Sequence, residues 1–402
     1  MSGVFSRLVG QHAVEQELVA AASAARGDTP HSGTTVGTMT HAWLITGPPG
    51  SGRSVAALCF AAALQCTSDG VPGCGQCRAC TTTMAGTHAD VRRIVPEGLS
   101  IAVKEMREIV QIASRRPGTG RWQVVVIEDA DRLTEGAANA LLKVVEEPPA
   151  STVFLLCAPS VDPEDIAITL RSRCRHVALT TPSVDAIADV LISGDGLPEG
   201  DARWAASVSG GHVGRARRLA TDPEARERRK RALGLARDAA TPTRAFAAAE
   251  EMVAVAEAEA LALTAGRNET ETEELKTALG AGGTGKGTAA TTRGTAGVLK
   301  QLENRQKSRR TRANRDALDR ALIDLATYFR DALLVSSGAT AVTANHPDMA
   351  EKVEAMAAHV PPDRLLRCIE AVLECREALA VNVKPKFAVD AMVATVGQAL
   401  RG

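Results

Sequence analysis

Aromatic side chains are nearly missing from this sequence: three Trp, one Tyr and six Phe among 402 residues. Its cores must therefore be built from Ala, Val and Leu, which suits helices and buried parallel strands. A net charge is missing as well. Lys+Arg and Asp+Glu both number 47, so no overall excess of one sign advertises a nucleic-acid or membrane partner, and any such contact has to come from local patches. Long apolar runs are absent: none approaches the ~20 residues that span a bilayer. The opening MSGVFSRLVGQ has neither the charged start nor the apolar stretch of a secretory signal. The expectation is a cytoplasmic protein without a membrane partner, and there the nine cysteines do not read as a disulfide framework.

What is present describes an ordinary globular chain, 45% apolar and 23% charged, long enough for two or three domains. Residues 12–26 carry apolar side chains at helical spacing and stop at Gly27. HAWLITG (41–47), WQVVVIEDAD (122–131) and STVFLLCAP (151–159) read as strands, with AANALLKVVEEPP (137–149) a helix stopped by its prolines. Strands alternating with helices over the first ~180 residues predict a doubly wound α/β parallel sheet. Beyond HVALTTPS (176–183) the strand signal ends, and 184–260 and 314–401 read as helices. Between them, about 265–298 is Gly/Thr-rich and is expected to be a flexible insertion. The stretch 300–315 follows with seven Lys/Arg and one acid, and reads as a linker or helix surface.

GPPGSGRS (47–54) carries the signature of a phosphate-binding loop. Gly47, Pro48, Gly50, Ser51 and Gly52 follow an apolar strand, and Ser54 and Val55 enter a helix. Such loops aim backbone N–H groups and a helix N-terminus at phosphate oxygens. Arg53 stands where lysine is usual; its planar fork is bulkier than an ammonium. Glu128 and Asp129, at the end of an apolar strand, resemble acids that hold Mg²⁺ and activate water, although strand-to-turn boundaries also collect acids. A second glycine run, GAGGTGKG (280–287), has Gly287 in place of the hydroxyl residue and no strand before it; it is not read as a phosphate site.

Cys66, Cys74, Cys77 and Cys80 follow the pattern C-x7-C-x2-C-x2-C, with Gly70, Pro72, Gly73 and Gly75 supplying the turns. Four thiolates at this spacing suit tetrahedral Zn²⁺ in a closed, structural site, with an iron–sulfur cluster or free thiols as the alternatives.

HAWLITGPPGSGRS, VVVIEDADRLTEGAANALLKVVEEPPASTVFLL, LRSRC (170–174) and NVKPKFAVDAMV (382–393), in this order and spacing, resemble the bacterial DNA polymerase III clamp-loader family, AAA+ proteins that place a ring-shaped sliding clamp on primed DNA. The resemblance implies an AAA+ core over 1–180 with a zinc module at about 66–80, a helical lid over 181–240, and an all-α collar for oligomerisation over 241–402. It implies gamma/tau and delta subunits, the sliding clamp and primer-template DNA as partners.

Within that family the residues lean toward the delta-prime type, a stator, rather than the ATP-hydrolysing gamma/tau type, which stays as the alternative. Arg53 replaces the lysine, Glu128-Asp129 inverts the usual acid order, Ala158-Pro159 stand where motors carry threonines that sense the γ-phosphate, and Gly214 falls where a lid arginine is expected, with Arg215 one residue on. Phosphoryl transfer depends on positioning and charge stabilisation, so hydrolysis in the chain's own pocket is expected to be lost. Binding of ATP or ADP with Mg²⁺ stays open through the surviving glycines. SRC (172–174) is intact, and the resemblance gives Arg173 the role of an arginine finger reaching a triphosphate on the adjacent subunit. A third reading is a zinc-dependent DNA-binding protein with a vestigial nucleotide fold. Lys104, Arg107, Arg115 and Arg116 stand where relatives track template phosphates, and read equally well as a solvated face.

Overall fold

The computed structural model describes residues 3–27, 39–279, 288–339 and 342–401, with backbone alone over 288–296. They pack as two compact units: Met1–Pro96 with Ser100–Ala220, and Glu97–Leu99 with Thr221–Gly402.

The first unit opens on α1 (His12–Arg26), which stops at Gly27 in the left-handed conformation, φ 82°. There follow β1 (Ala42–Thr46), α2 (Arg53–Gln65), α3 (Arg78–Met84), β2 (Val91–Ile94), α4 (Val103–Ala113), β3 (Gln123–Ile127), α5 (Glu135–Glu146), β4 (Thr152–Ala158), the single turn α6 (Ile168–Arg171) and β5 (Arg175–Ala178). Helices α7 (Val184–Ser193), α8 (Glu199–Ser207) and α9 (Val213–Thr221) end the unit. The five strands run parallel in the order β2-β3-β4-β1-β5. Both faces of the sheet are covered, so its central strands are apolar throughout instead of alternating. Along β1, Trp43 and Ile45 enter one core with α1 and α2, while Ala42 and Leu44 enter the other with α4 and α5. Trp43 meets Phe60 edge-to-face at 4.8 Å, so two of the few aromatic rings fill the space over the sheet's centre.

The strands expected at 41–47, 122–131 and 151–159 form, and the sheet has the predicted parallel, doubly wound character. β2 was not foreseen. Two of its four residues are exposed arginines, because it is an edge strand with one paired neighbour.

The second unit is all helical: α10 (Pro223–Asp238), α11 (Pro242–Ala278), α12 (Thr288–Ser336), α13 (Ala350–His359), α14 (Pro362–Ala380) and α15 (Pro385–Arg401). Leu318, Leu322, Leu325 and Phe329 of α12 pack with Leu365 and Val372 of α14 and Val389 and Val393 of α15. The stretch 181–240, expected as one lid, is divided between the units. Leu233, Leu235 and Ala236 of α10 belong to this second core, which draws the helix there.

The flexible insertion expected over 265–298 is corrected at both ends, because α11 continues to Ala278 and α12 begins at Thr288. Residues 265–278 hold four Glu with Ala, Leu, Lys and Arg, all good helix formers, and an Arg267–Glu271 pair at i,i+4 and cross-links from Arg309 to Asn268 and Glu271 add support. The glycine run 280–287 lies outside the described residues. The basic run 300–315 lies on α12, and much of its charge is answered locally: Arg305 and Arg309 by Glu97, Arg309 also by Glu271, and Arg312 by Asp316.

One buried polar network fastens this unit. Arg229 donates to Asp348 at 2.7 and 2.9 Å and to His346 Nδ1 at 2.8 Å, while the backbone N–H groups of Asn345 and His346 donate to Asp331 Oδ2 at 2.8 Å each. Nδ1 accepts from a permanent donor, so the His346 proton sits on Nε2, 2.9 Å from Thr327 Oγ1. Burial pushes His346 below its ordinary value and the Arg229 charge adds to that; Asp324, Asp331 and Asp348 oppose it.

Candidate functional site

The glycine loop runs from the carboxyl end of β1 to the first turn of α2, as a phosphate loop requires. Gly47, Gly50 and Gly52 all have positive φ, at 156°, 86° and 97°. Gly47 N–H donates to the Pro159 carbonyl at 3.1 Å, tying the loop to the end of β4. A Cβ on Gly50 would stand 2.3 Å from His212 Cγ, so only glycine lets the chain entering α9 lie this close. His212 also caps that helix, its Nδ1 accepting the Arg215 N–H at 3.2 Å. Ser51 Oγ and Arg53 Nη1 are buried without a hydrogen-bond partner among the described residues. Ser54 and Val55 occupy the first turn of α2.

Around the loop, the strand-end acids have partners of their own, and two further positions lack a polar side chain. The Glu128 carboxylate is taken by Arg93 Nε of β2, a partner the sequence reading did not find. Asp129 sits in the left-handed region, φ 52°, with its Oδ2 3.9 Å from Arg132 Nε. Asp131 is raised above the ordinary carboxylate value by burial first and by the Asp129 charge second, with Arg132 and Arg53 pulling the other way. At the end of β4, Ala158 is fully buried and carries no hydroxyl, and Pro159 presents its carbonyl to the loop. Gly214, in the first turn of α9, has no side chain to offer.

Arg173 lies outside the hydrophobic core. It follows α6, whose Leu170 is fully buried against the α5 side of the sheet. Its side chain is 40% exposed and pairs with Glu146, at the end of α5, through Nη2 at 2.6 Å. Nη1 donates to the Thr169 carbonyl at 2.9 Å and to Ser172 Oγ at 3.3 Å. Next to it, the Cys174 thiol is pushed up to about 12 by burial, which makes it inert packing.

The four cysteines of the 66–80 stretch converge, with their Sγ atoms all within 4.8 Å of one another. Tetrahedral zinc with ~2.3 Å bonds sets sulfurs ~3.8 Å apart, and Cys77 Sγ lies 3.9 Å from Cys66 Sγ. The backbone N–H groups of Cys77 and Cys80 donate to Cys74 Sγ and Cys77 Sγ at 3.3 and 3.4 Å, the arrangement that supports thiolate charge. Burial pushes the Cys77 thiol up, yet donors from Thr67 and Cys80 outweigh it and bring it down to about 6. Cys66 is likewise lowered, burial being outweighed by N–H groups of Cys74, Ser68 and Gly73, whereas burial leaves Cys80 raised. Arg26 braces the loop through the carbonyls of Cys66, Ser68 and Gly70. The donor set and its spacing fit a structural zinc ion.

The basic stretches on α4 and α10 differ in how their charge is answered. On α4, Met106, Ile109 and Ala113 face the core, and the exposed side mixes Lys104 and Arg107 with Glu105 and Glu108. Arg115 and Arg116 are exposed beyond its end. Of the α10 arginines, Arg228 pairs with Asp222, Glu224 and Glu259, and Arg229 is buried on Asp348.

A family model described as DNA polymerase III, delta subunit, matches residues 31–183, which hold the glycine loop, the cysteines, the strand-end acids and Arg173. A second, described as DNA polymerase III, delta subunit, C terminal, matches residues 312–385. DNA polymerase III subunit delta' of Escherichia coli (strain K12) is 36% identical over 190 residues, 45% of this chain and 53% of that protein. The delta' subunit of Pseudomonas aeruginosa is 38% identical over 154 residues, 38% of this chain and 46% of that protein. Over these stretches the chain is similar to the delta-prime subunits of DNA polymerase III. It spans about half the length of these delta-prime relatives. DNA polymerase III subunit tau of Bacillus subtilis is 35% identical over 139 residues, 34% of this chain and 24% of that protein.

Delta-prime and tau sequences thus match at similar identity, and overall likeness does not separate the two kinds of subunit. The first unit is a doubly wound parallel sheet with a cysteine cluster suited to zinc, and helices follow it. Among the described residues, no helix is long and apolar enough to cross a membrane.

Proposed function

We propose that this chain is the stator of a DNA polymerase III clamp loader, assembling with gamma/tau and delta subunits to place a sliding clamp on primer-template DNA. In this reading it contributes Arg173 to ATP held by a neighbouring gamma/tau subunit and turns over no nucleotide itself. Zinc on Cys66, Cys74, Cys77 and Cys80 is structural, since four protein thiolates leave no position open for a substrate.

The contrast between the glycine loop, at the carboxyl end of β1, and Arg173, just before the amino end of β5, carries the reading. At the glycine loop, the Glu128 carboxylate is committed to Arg93, and the positions of the γ-phosphate sensor and the lid arginine are Ala158 and Gly214, without functional side chains. Transfer of a phosphoryl group needs such groups aimed in advance at the developing charge. Arg173, by contrast, is a partly exposed cation on a well-anchored turn. Its planar fork matches phosphate oxygens, and a guanidinium supplied in trans accelerates hydrolysis without touching its own chain's pocket.

The test is a loader reconstituted from gamma/tau, delta and the full chain. Arg173→Ala is expected to lower clamp- and DNA-stimulated ATP turnover by about tenfold or more, with assembly and zinc content unchanged, and Arg53→Ala to leave turnover as it was. Full turnover with Arg173→Ala would overturn the trans-arginine role. ATP hydrolysis by the chain alone, lost with Arg53→Ala, would make it a motor instead.

A further inference from the structure

Arg173 and Glu146 belong to different segments, and both backbones are fixed. Ile166 and Leu170, 3% and 0% exposed, set the turn before Arg173 into the core. Val145, 1% exposed, does the same for the end of α5, and its carbonyl lies 2.7 Å from His41 Nε2. Only the side chains are free to rearrange. Glu147, beside Glu146, is exposed and makes no ion pair among the described residues, so the contact selects one of two adjacent acids.

We infer that Glu146 is a positioning residue for Arg173. In the unassembled chain it holds the guanidinium folded along its own surface, and it yields it when phosphate oxygens are presented by a neighbour. This rests on the proposed role of Arg173 in trans. Nη2 is engaged by Glu146, and Nη1 by the Thr169 carbonyl and Ser172 Oγ, so both outer nitrogens are occupied by the chain's own acceptors. Carboxylate and phosphate oxygens compete for the same N–H groups. A half-exposed ion pair is weak enough to be exchanged yet strong enough to bias the side chain. It also keeps the cation from pairing with unrelated anions before assembly.

Two measurements test this. In the reconstituted loader, Glu146→Gln is expected to lower KM for ATP about two- to fivefold, the range an exposed ion pair covers, with kcat unchanged and with no effect when added to Arg173→Ala. Glu147→Gln and Glu146→Asp should match the unaltered chain. In the free chain, modification of Arg173 by phenylglyoxal, followed by peptide mapping, should be faster in Glu146→Gln by a similar factor. An unchanged modification rate, a KM shift that persists in the Arg173→Ala background, or a fall in kcat would each overturn the inference. Full turnover with Arg173→Ala would instead remove the trans role itself, while the free-chain chemistry still judges the pairing.

Discussion

Asp90 offers a sharp test of how the first unit holds its surface loops. It lies just before β2 and is 5% exposed. Its Oδ1 accepts the Gly118 N–H at 2.7 Å; its Oδ2 accepts the N–H groups of Thr119 and Gly120 at 2.8 and 2.6 Å and the Thr119 hydroxyl at 2.7 Å. Burial pushes the carboxyl up, but these donors win and hold it at about 2, against an ordinary 3.8. That difference corresponds to on the order of 2 kcal/mol in favour of the folded loop. Because the folded value is the lower one, the contribution is complete above about pH 3.8 and is lost as the pH falls through about 2. Asp90→Asn removes it at neutral pH and turns an amide NH₂ toward backbone donors. The loop between α4 and β3 should then exchange its amide hydrogens about 30-fold faster, read by hydrogen exchange on peptides spanning 115–121 of the full chain. Protection within twofold of the unaltered protein would refute the reasoning, as would a midpoint of acid-induced loosening at the ordinary carboxylate value.

Two further outcomes follow from geometry already described. The purified chain should carry about one zinc ion. Cys77→Ser should lose that ion and lower the melting temperature of the first unit; a variant that keeps its metal by elemental analysis would show that Cys77 is no ligand. His346 should titrate below its ordinary 6.5. The stability it lends the second unit is therefore full above that pH and declines as the solution is acidified below it. NMR of selectively labelled histidines checks this, and a midpoint at or above 6.5 would contradict the buried, neutral assignment.

The central strands were legible because a sheet covered on both faces writes itself as short uninterrupted apolar runs, and the cysteines because metal ligands on tight turns are local in sequence. β2 was not legible: an edge strand reading VRRI carries too little apolar signal. Missing it hid Arg93, and with it the ion pair that occupies Glu128 across 35 positions of sequence. Glu146 was hidden for a related reason, since EEPP reads only as a helix end until α6 folds back beside it. The helix through 265–278 was missed because the Gly/Thr-rich run that follows it was extended back over a Glu-rich stretch, which Arg309 on the following helix also supports.

The glycine loop and the cysteine cluster are opposite ends of one helix. α2 begins at Arg53 and stops at Gln65, with Cys66 as its cap, a buried beam about 20 Å long. A preparation stripped of metal would loosen the far bearing of that beam. Any nucleotide affinity it shows would then measure chelation history as much as loop chemistry, so metal content has to be matched before two such affinities are compared.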